Sequence, residues 1–269
     1  NNTALPYTAL NTASEVETSN GQGIWRTIRT ERTFDAYGQV LVTRDKGAVA
    51  DSGDDRAHYT GRVYNTTDYI VDRVNQIVDF IGDETGTPLN QTTIAYDGAS
   101  SSSTPPTKGD PTTVSRFLNT TSSNVVSTAT YDSWGNKTSE TDPLGNTTTT
   151  AFDATYHLFP ISVTNALSQV SSQTINIVCG KPATATDLNG LVTNFTYDGY
   201  CRETFRELPT GAYVVTNYVD YGYAGAQLVS TVRSAPDGAE VWENRWHDGL
   251  GRVHWIDTPS VDPDDEDRI

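Results

Sequence analysis

The stretch YDSWGNKTSETDPLGNTTTTAFD, residues 131–153, decides how the whole chain is read. It opens on Tyr131-Asp132-Ser133-Trp134-Gly135, a turn signal. Asp at the first turn position accepts a hydrogen bond from the backbone two residues on, and Gly takes the positive φ that often follows a type I turn. Asn136 to Thr141 then reads as a short strand. Asp142-Pro143-Leu144-Gly145 turns the chain again, with Pro pre-set for the second turn position. Asn146 to Phe152 is a Thr-rich return strand, and Phe152-Asp153 repeats the aromatic–Asp pair that opened the stretch. Two turns and two strands make a hairpin of about 21 residues.

The same beat recurs. Asp142 and Asp153 are eleven residues apart, as are Asp187 (in Asp187-Leu188-Asn189-Gly190) and Asp198 (in Tyr197-Asp198), and Asp237 and Asp248. Asn165 to Asn176 keeps the spacing with Asn at both positions; Asn also supports turns. Phe34-Asp35-Ala36-Tyr37-Gly38 is a further marker turn, and Gly86 leads to Tyr96-Asp97. Leu208-Pro209-Thr210-Gly211 leads to Asp220 with a one-residue slip, and Tyr64-Asn65 is a degenerate copy. The markers are therefore Asp35, Asn65, Asp97, Asp132, Asp153, Asn176, Asp198, Asp220 and Asp248, with Gly38, Gly135, Gly145, Gly190 and Gly251 closing turns. One supersecondary unit copied along a chain means an array, whose function belongs to the assembled surface.

The expected fold is all-β: an array of antiparallel β-hairpins forming one spiralling sheet. Residues 1–23 are expected to be an irregular connecting segment, 24–258 the array, and 259–269 an acidic tail or linker. Polar excursions at 45–61 and 98–112 interrupt the beat as loops. Val71 to Phe80 reads as a strand. The aromatics Tyr96, Tyr131, Phe152, Tyr197 and Trp246 fall near strand ends, where packing explains them.

Hydrophobic residues make up only 35% of the 269, which suits a thin sheet with Thr supplying β-branching. A net charge of −16 argues against nucleic acid or anionic lipid as a partner. No apolar run is long enough for a membrane-spanning helix. With Met absent and no signal peptide visible, the chain is expected to be an internal or processed piece of something longer. Seven Asn-x-Ser/Thr sequons, at Asn1, Asn65, Asn90, Asn119, Asn136, Asn146 and Asn194, favour a secreted or cell-surface protein only weakly. Cys179 and Cys201 are the only cysteines, one repeat apart; a disulfide between adjacent hairpins and two reduced structural thiols both fit.

Candidate chemistry is sparse. His58, His157, His247 and His254 show no metal-ligand spacing with Cys or with one another. Asp51-Ser52-Gly53-Asp54-Asp55 is acidic but lacks the ligand order of an EF-hand. No Ser, Cys or Lys nucleophile sits in a recognisable motif. The regular carboxylates stand where turns already require them. No catalytic, metal or cofactor-binding residues are assigned, and the chain is expected not to be an enzyme.

The Tyr/Phe-Asp dipeptides, Tyr131–Asn136, Asp142–Thr148, Phe159–Leu167 and Asp248-Gly249-Leu250-Gly251-Arg252 resemble the Rhs/YD-repeat family over most of residues 24–258. They are similar in particular to large bacterial Rhs proteins, including the B component of Tc insecticidal toxin complexes. The resemblance implies a β-ribbon spiralling into a hollow shell that encloses a toxic polypeptide; related shells serve adhesion. Asp142-Pro143 is similar in wording to the family's self-cleaving closing segment, but it lies in an ordinary repeat turn, so no protease role is carried over. No toxin domain or propeller repeat is visible. The leading expectation is a non-enzymatic shell segment whose partners are further repeats, neighbouring subunits or an enclosed toxin. An adhesive protein binding glycan or protein through Trp25, Trp134, Trp242 and Trp255 is the alternative, and a hydrolase using Asp54 a third reading. Open strand edges would lead either to continuation into more repeats or to edge-to-edge self-association.

Overall fold

The computed structural model describes residues 10–19, 21–23, 25–49, 52–220, 223, 226–234 and 238–259. Asn1, Asp51, Asp237 and the acidic residues of the tail from 260 onward lie outside the described residues. The chain divides into two compact units, Asn1–Thr147 and Thr148–Ile269.

Unit 1 holds β1 (Ala13–Ser19), β2 (Trp25–Phe34), β3 (Val40–Ala48), β4 (Arg56–Asn65), β5 (Ile70–Ile81), β6 (Thr87–Tyr96), β7 (Pro111–Leu118), β8 (Ser123–Tyr131) and β9 (Lys137–Thr141). Each pairs antiparallel with the next in sequence. Unit 2 holds β10 (Thr147–Phe152, which begins at the boundary), β11 (Pro160–Thr164), β12 (Val170–Asn176), β13 (Lys181–Thr186) and β14 (Val192–Tyr197). It continues with β15 (Glu203–Glu207), β16 (Tyr213–Val219), β17 (Gln227–Ser234), β18 (Glu240–His247) and β19 (Val253–Asp257), again each antiparallel to the next. A 3₁₀ turn at Ser52–Asp54 is the one helical element among the described residues. The all-β hairpin array is therefore as expected, and β5 spans the Val71–Phe80 stretch.

Three boundaries differ from the sequence reading. The 45–61 excursion narrows, because β3 runs on to Ala48 and β4 starts at Arg56. Both segments look polar because a strand in a thin sheet needs no continuous apolar run. Residues 1–23 are not wholly irregular, since β1 pairs from Ala13 to Ser19 with β2. Every residue of β1 is exposed, so it carries no hydrophobic pattern to betray it. The 98–112 insertion is a loop, as read, but strand begins again at Pro111.

Burial is confined to part of unit 1. Val42, Ala57, Val63, Val78, Ala95 and Tyr96 are buried, and Pro106 is almost fully enclosed. The loop that carries Pro106 folds back on the sheet: Asn65 Nδ2 donates to Pro106 O at 2.7 Å, and Asn75 Nδ2 to Ser102 O at 3.0 Å. No described residue of unit 2 is buried. Its Thr-rich strands meet through hydroxyls instead, with Thr174 and Thr184 2.8 Å apart and Thr196 and Thr204 3.0 Å apart. Such cross-strand pairs each contribute roughly 0.2–1 kcal/mol.

Candidate functional site: the marker turns

Because every strand is antiparallel to the next, turns fall alternately at the two ends of the strands. All nine markers read from the sequence fall at turns that follow even-numbered strands. In unit 1, Asp35, Asp97 and Asp132 directly follow β2, β6 and β8 and Asn65 ends β4; in unit 2, Asp153, Asp198, Asp220 and Asp248 directly follow β10, β14, β16 and β18 and Asn176 ends β12. Within each unit the markers thus line one edge of the sheet. Asp142, Asn165, Asp187 and Leu208 follow odd-numbered strands and turn the chain at the opposite edge.

The local geometry repeats closely. At Asp132, the Gly135 amide donates to the Asp132 carbonyl at 3.3 Å, and the Asp132 amide donates to Asn136 O at 3.0 Å. Asp132 Oδ1 accepts from the Trp134 and Asn136 amides, each at 2.9 Å, and Oδ2 accepts from Asn136 Nδ2 at 3.0 Å. Asp142 repeats this set with Leu144 and Asn146 at 2.8 to 3.0 Å. Asp198 and Asp248 substitute an arginine, with Arg202 Nε at 2.7 Å and Arg252 Nε at 2.8 Å from Oδ2. Asp35 and Asp187 make the same two backbone contacts. These are three-residue hairpin loops, a type I turn closed by a left-handed residue. That residue is glycine at 38, 135, 145, 190, 211 and 251, with φ between 78° and 86°. Ser168 and Cys201 hold the position at φ 62° and 60°.

One distinction was invisible in the sequence. At most markers the register slips by one residue, at Phe34, Tyr96, Tyr131, Phe152, Ile175, Tyr197 and His247; the Asp220 hairpin carries no slip, and the plain hairpin of β5 and β6 carries one at Phe80. The hairpins turning at Asn165, Asp187 and Leu208 carry no such bulge. A bulge bends its strand and increases local twist, so the aromatic of each aromatic–Asp pair sits where the ladder is re-aimed. Marker tyrosines also stitch across strands. Tyr96 Oη donates to Val74 O at 2.7 Å, Tyr131 Oη to Pro111 O at 3.2 Å and Tyr197 Oη to Pro182 O at 2.7 Å. Burial raises the pKa of each of these three phenols above the ordinary value.

The carboxylates of Asp97, Asp142, Asp153, Asp187 and Asp248 are stabilised as anions. Burial pushes Asp97 upward, but backbone donors from Lys108, Asp110, Gly109 and Thr107 outweigh it and bring its pKa to about 2. Those donors lie at 2.6 to 3.2 Å, so the 98–110 loop is clamped around one carboxylate. The Phe159 amide leads in holding Asp153 at about 2. Asp142 is lowered chiefly by the Asn146 side chain, Asp187 by the Leu191 amide and Asp248 by the Arg252 amide. A general acid or base working near neutrality needs the opposite tuning. These carboxylates are structural acceptors, already saturated.

Other sequence candidates fall apart in space. Asp54 accepts from the Ala48 amide at 3.0 Å, while Asp55 pairs with Lys46 at 3.0 Å. Among the described residues no group of three or more His, Cys, Asp or Glu side chains could hold a metal ion. Trp25 and Trp134 belong to unit 1 and Trp242 and Trp255 to unit 2, so neither unit gathers all four on one platform. Cys179 and Cys201 do come together, as a disulfide with Cα atoms 5.2 Å apart. A cluster missed in the sequence spans β4 to β6: His58 Nδ1 lies 2.6 Å from Asp79 Oδ1, and Asn90 Nδ2 donates to Asp79 Oδ2 at 2.8 Å. It borders a shallow cleft of about 300 Å³. Only strand register brings these three together, so spacing gave no signal.

No family model matches the chain, and no curated protein matches it either. Among solved structures, the chain is similar to "Crystal Structure of TcdB2-TccC3", with a TM-score of 0.63 at 11% identity. That match covers 86% of this chain and 18% of the other, so the chain spans under a fifth of the longer protein. A second TcdB2-TccC3 structure, without its hypervariable C-terminal region, matches at a TM-score of 0.44 and 14% identity, over 85% of this chain and 13% of the other. The likeness at 0.63 shows a common fold. With aromatic–Asp markers at alternate turns, the chain is an antiparallel hairpin array that shares its fold with part of that structure.

Proposed function

We propose that this chain is a non-enzymatic wall segment of an Rhs/YD-type shell, one that encloses or displays another polypeptide. The observation carrying this reading is that the markers recur along one edge, with the carboxylates of Asp35, Asp97, Asp132, Asp153, Asp198 and Asp248 each committed to its own turn. Side chains spent on building turns are not free for chemistry. The fold shared with TcdB2-TccC3 supports the same reading. The added twist at each marker bulge favours a ribbon that coils, and coiling a thin ribbon is a route to an enclosing surface. The partners are further hairpins of the same kind, neighbouring subunits and an enclosed toxin polypeptide. The disulfide suits an extracellular setting. No helix among the described residues is long and apolar enough to cross a membrane. Electron microscopy of the full-length parent protein tests the proposal. A strand spiral around a cavity is expected, and a compact two-layer sandwich with a filled core would overturn it.

A further inference from the structure

Cys179 and Cys201 join two successive marker turns of unit 2, those after β12 and β14, and no described cysteine is free. The first turn is built on Asn176, whose carbonyl accepts from the Cys179 and Gly180 amides at 3.2 and 2.8 Å. The second is built on Asp198, with the Cys201 amide on the Asp198 carbonyl at 3.0 Å. Cys201 therefore occupies the left-handed position, at φ 60°, that glycine fills in six equivalent turns. A side chain with a Cβ is disfavoured there, so this residue weakens its own turn unless something else holds it. The bond to Cys179 does so, and Lys181 Nζ adds a contact to Cys201 O at 2.7 Å.

The surroundings give that bond unusual weight. No described residue of unit 2 is buried, so no sealed core backs the two turns. The marker edge of unit 1 is braced without any covalent link. There Tyr64 Oη donates to Asp35 at 2.9 Å, Arg62 Nη1 donates to Val40 O at 2.7 Å, and the 98–110 loop closes on Asp97. Thiols cannot undo any of these.

We infer that the Cys179–Cys201 bond is a redox latch: the wall of unit 2 is ordered while the bond is intact and loosens around β12 to β15 when a low-molecular-weight thiol reduces it. This rests on the wall reading above and names its regulation. A thiolate attacks one sulfur of the pair and displaces the other cysteine as a thiolate, leaving a mixed disulfide; a second thiol resolves it. Two thiols are oxidised to one disulfide, and Cys179 and Cys201 take up two electrons and two protons. Both cysteines are only half-buried at the rim of the sheet, within reach of a small reagent. For a sequence separation of 22 residues, the chain entropy released on reduction shifts the opening equilibrium by about 300-fold.

Hydrogen–deuterium exchange on the full chain, with and without a phosphine or dithiol reductant, tests this. Peptides covering residues 170–207 are expected to exchange up to about 300-fold faster after reduction, while peptides covering 56–96 do not change. The double variant Cys179→Ser/Cys201→Gly, whose glycine relieves the left-handed turn, is expected to ignore the reductant. Non-reducing peptide mapping that finds both thiols free overturns the inference. So does equal exchange in the two redox states, an equal response of both units, or a response that persists in the double variant. None of these outcomes touches the wall reading, which imaging of the parent protein decides separately.

Discussion

Val42, Ala57, Val63, Val78, Ala95 and Tyr96 are buried in unit 1, whereas unit 2 buries no described residue, although both are built from the same three-residue turns and the same alternation of marker and plain hairpins. Unit 1 gains its core from an insertion. The 98–110 loop breaks the repeat in sequence, yet it places Pro106 against the sheet and closes around Asp97. Unit 2 keeps the repeat more strictly and relies on hydroxyl pairs, tyrosine stitches and one disulfide. Regularity of sequence and depth of packing are thus inversely related here. The turns define the array, and departures from the turns stabilise it.

The sharpest test of that contrast is truncation of equivalent marker tyrosines. Tyr96→Ala removes a buried ring and its bond to Val74 O, and should destabilise unit 1 by about 3–4 kcal/mol. Tyr197→Ala, on a half-buried ring, should cost about 1 kcal/mol. Urea unfolding followed by residue-resolved exchange would measure both, and equal losses would erase the distinction between the units. Next in size is Asp97→Ala, which strands the amides of residues 107–110 and should loosen that loop by about 2 kcal/mol. Protease nicking near Lys108 reports it, with strand peptides of unit 2 unaffected.

The same carboxylate sets a pH dependence. Its folded pKa, about 2, lies below the ordinary 3.8, so its contribution is complete above 3.8 and is lost as pH falls through about 2. Exchange of the 107–110 amides, corrected for intrinsic rate, should stay protected at pH 4 and fail near pH 2. Loss of protection already at pH 4 would mean the clamp is not ionic. The smallest effects concern the left-handed turn position. Ser168→Gly in unit 2 should stabilise by about 0.5–1 kcal/mol. Gly145→Ala in unit 1 should cost about 1 kcal/mol, although a Cβ there would meet nothing within 4 Å. Thermal melts of the two variants should move in opposite directions.

Turns were the most legible part of the sequence, because each is local: Asp132 and Gly135 suffice to specify their hairpin, and all nine marker positions fall at one edge within their units. Even Asn65 holds its turn, accepting the Thr67 and Asp68 amides at 3.0 Å. What sequence reading missed depends on register or on distant partners. The bulge at Tyr131 needs the opposing Lys137 to define it. The clamp on Asp97 draws donors from ten or more residues away, which made the loop look like a mere interruption. The His58–Asp79–Asn90 contact exists only because three strands align. Strand β1 escaped notice because a fully exposed strand has no apolar alternation to read.

At Leu144 and Leu250 the third residue of the turn meets the Asp carboxylate through its backbone amide, and its side chain is 87% and 79% exposed. Elsewhere that residue does more: Tyr37 packs against Tyr64 with ring centroids 5.1 Å apart, and the Arg202 guanidinium lies over the Tyr200 ring. Successive marker turns within a unit lie two strands apart, about 9.5 Å. The rim is in effect a ruled scale: the Asp and the left-handed residue space its graduations, and the side chain between them is what differs from one graduation to the next.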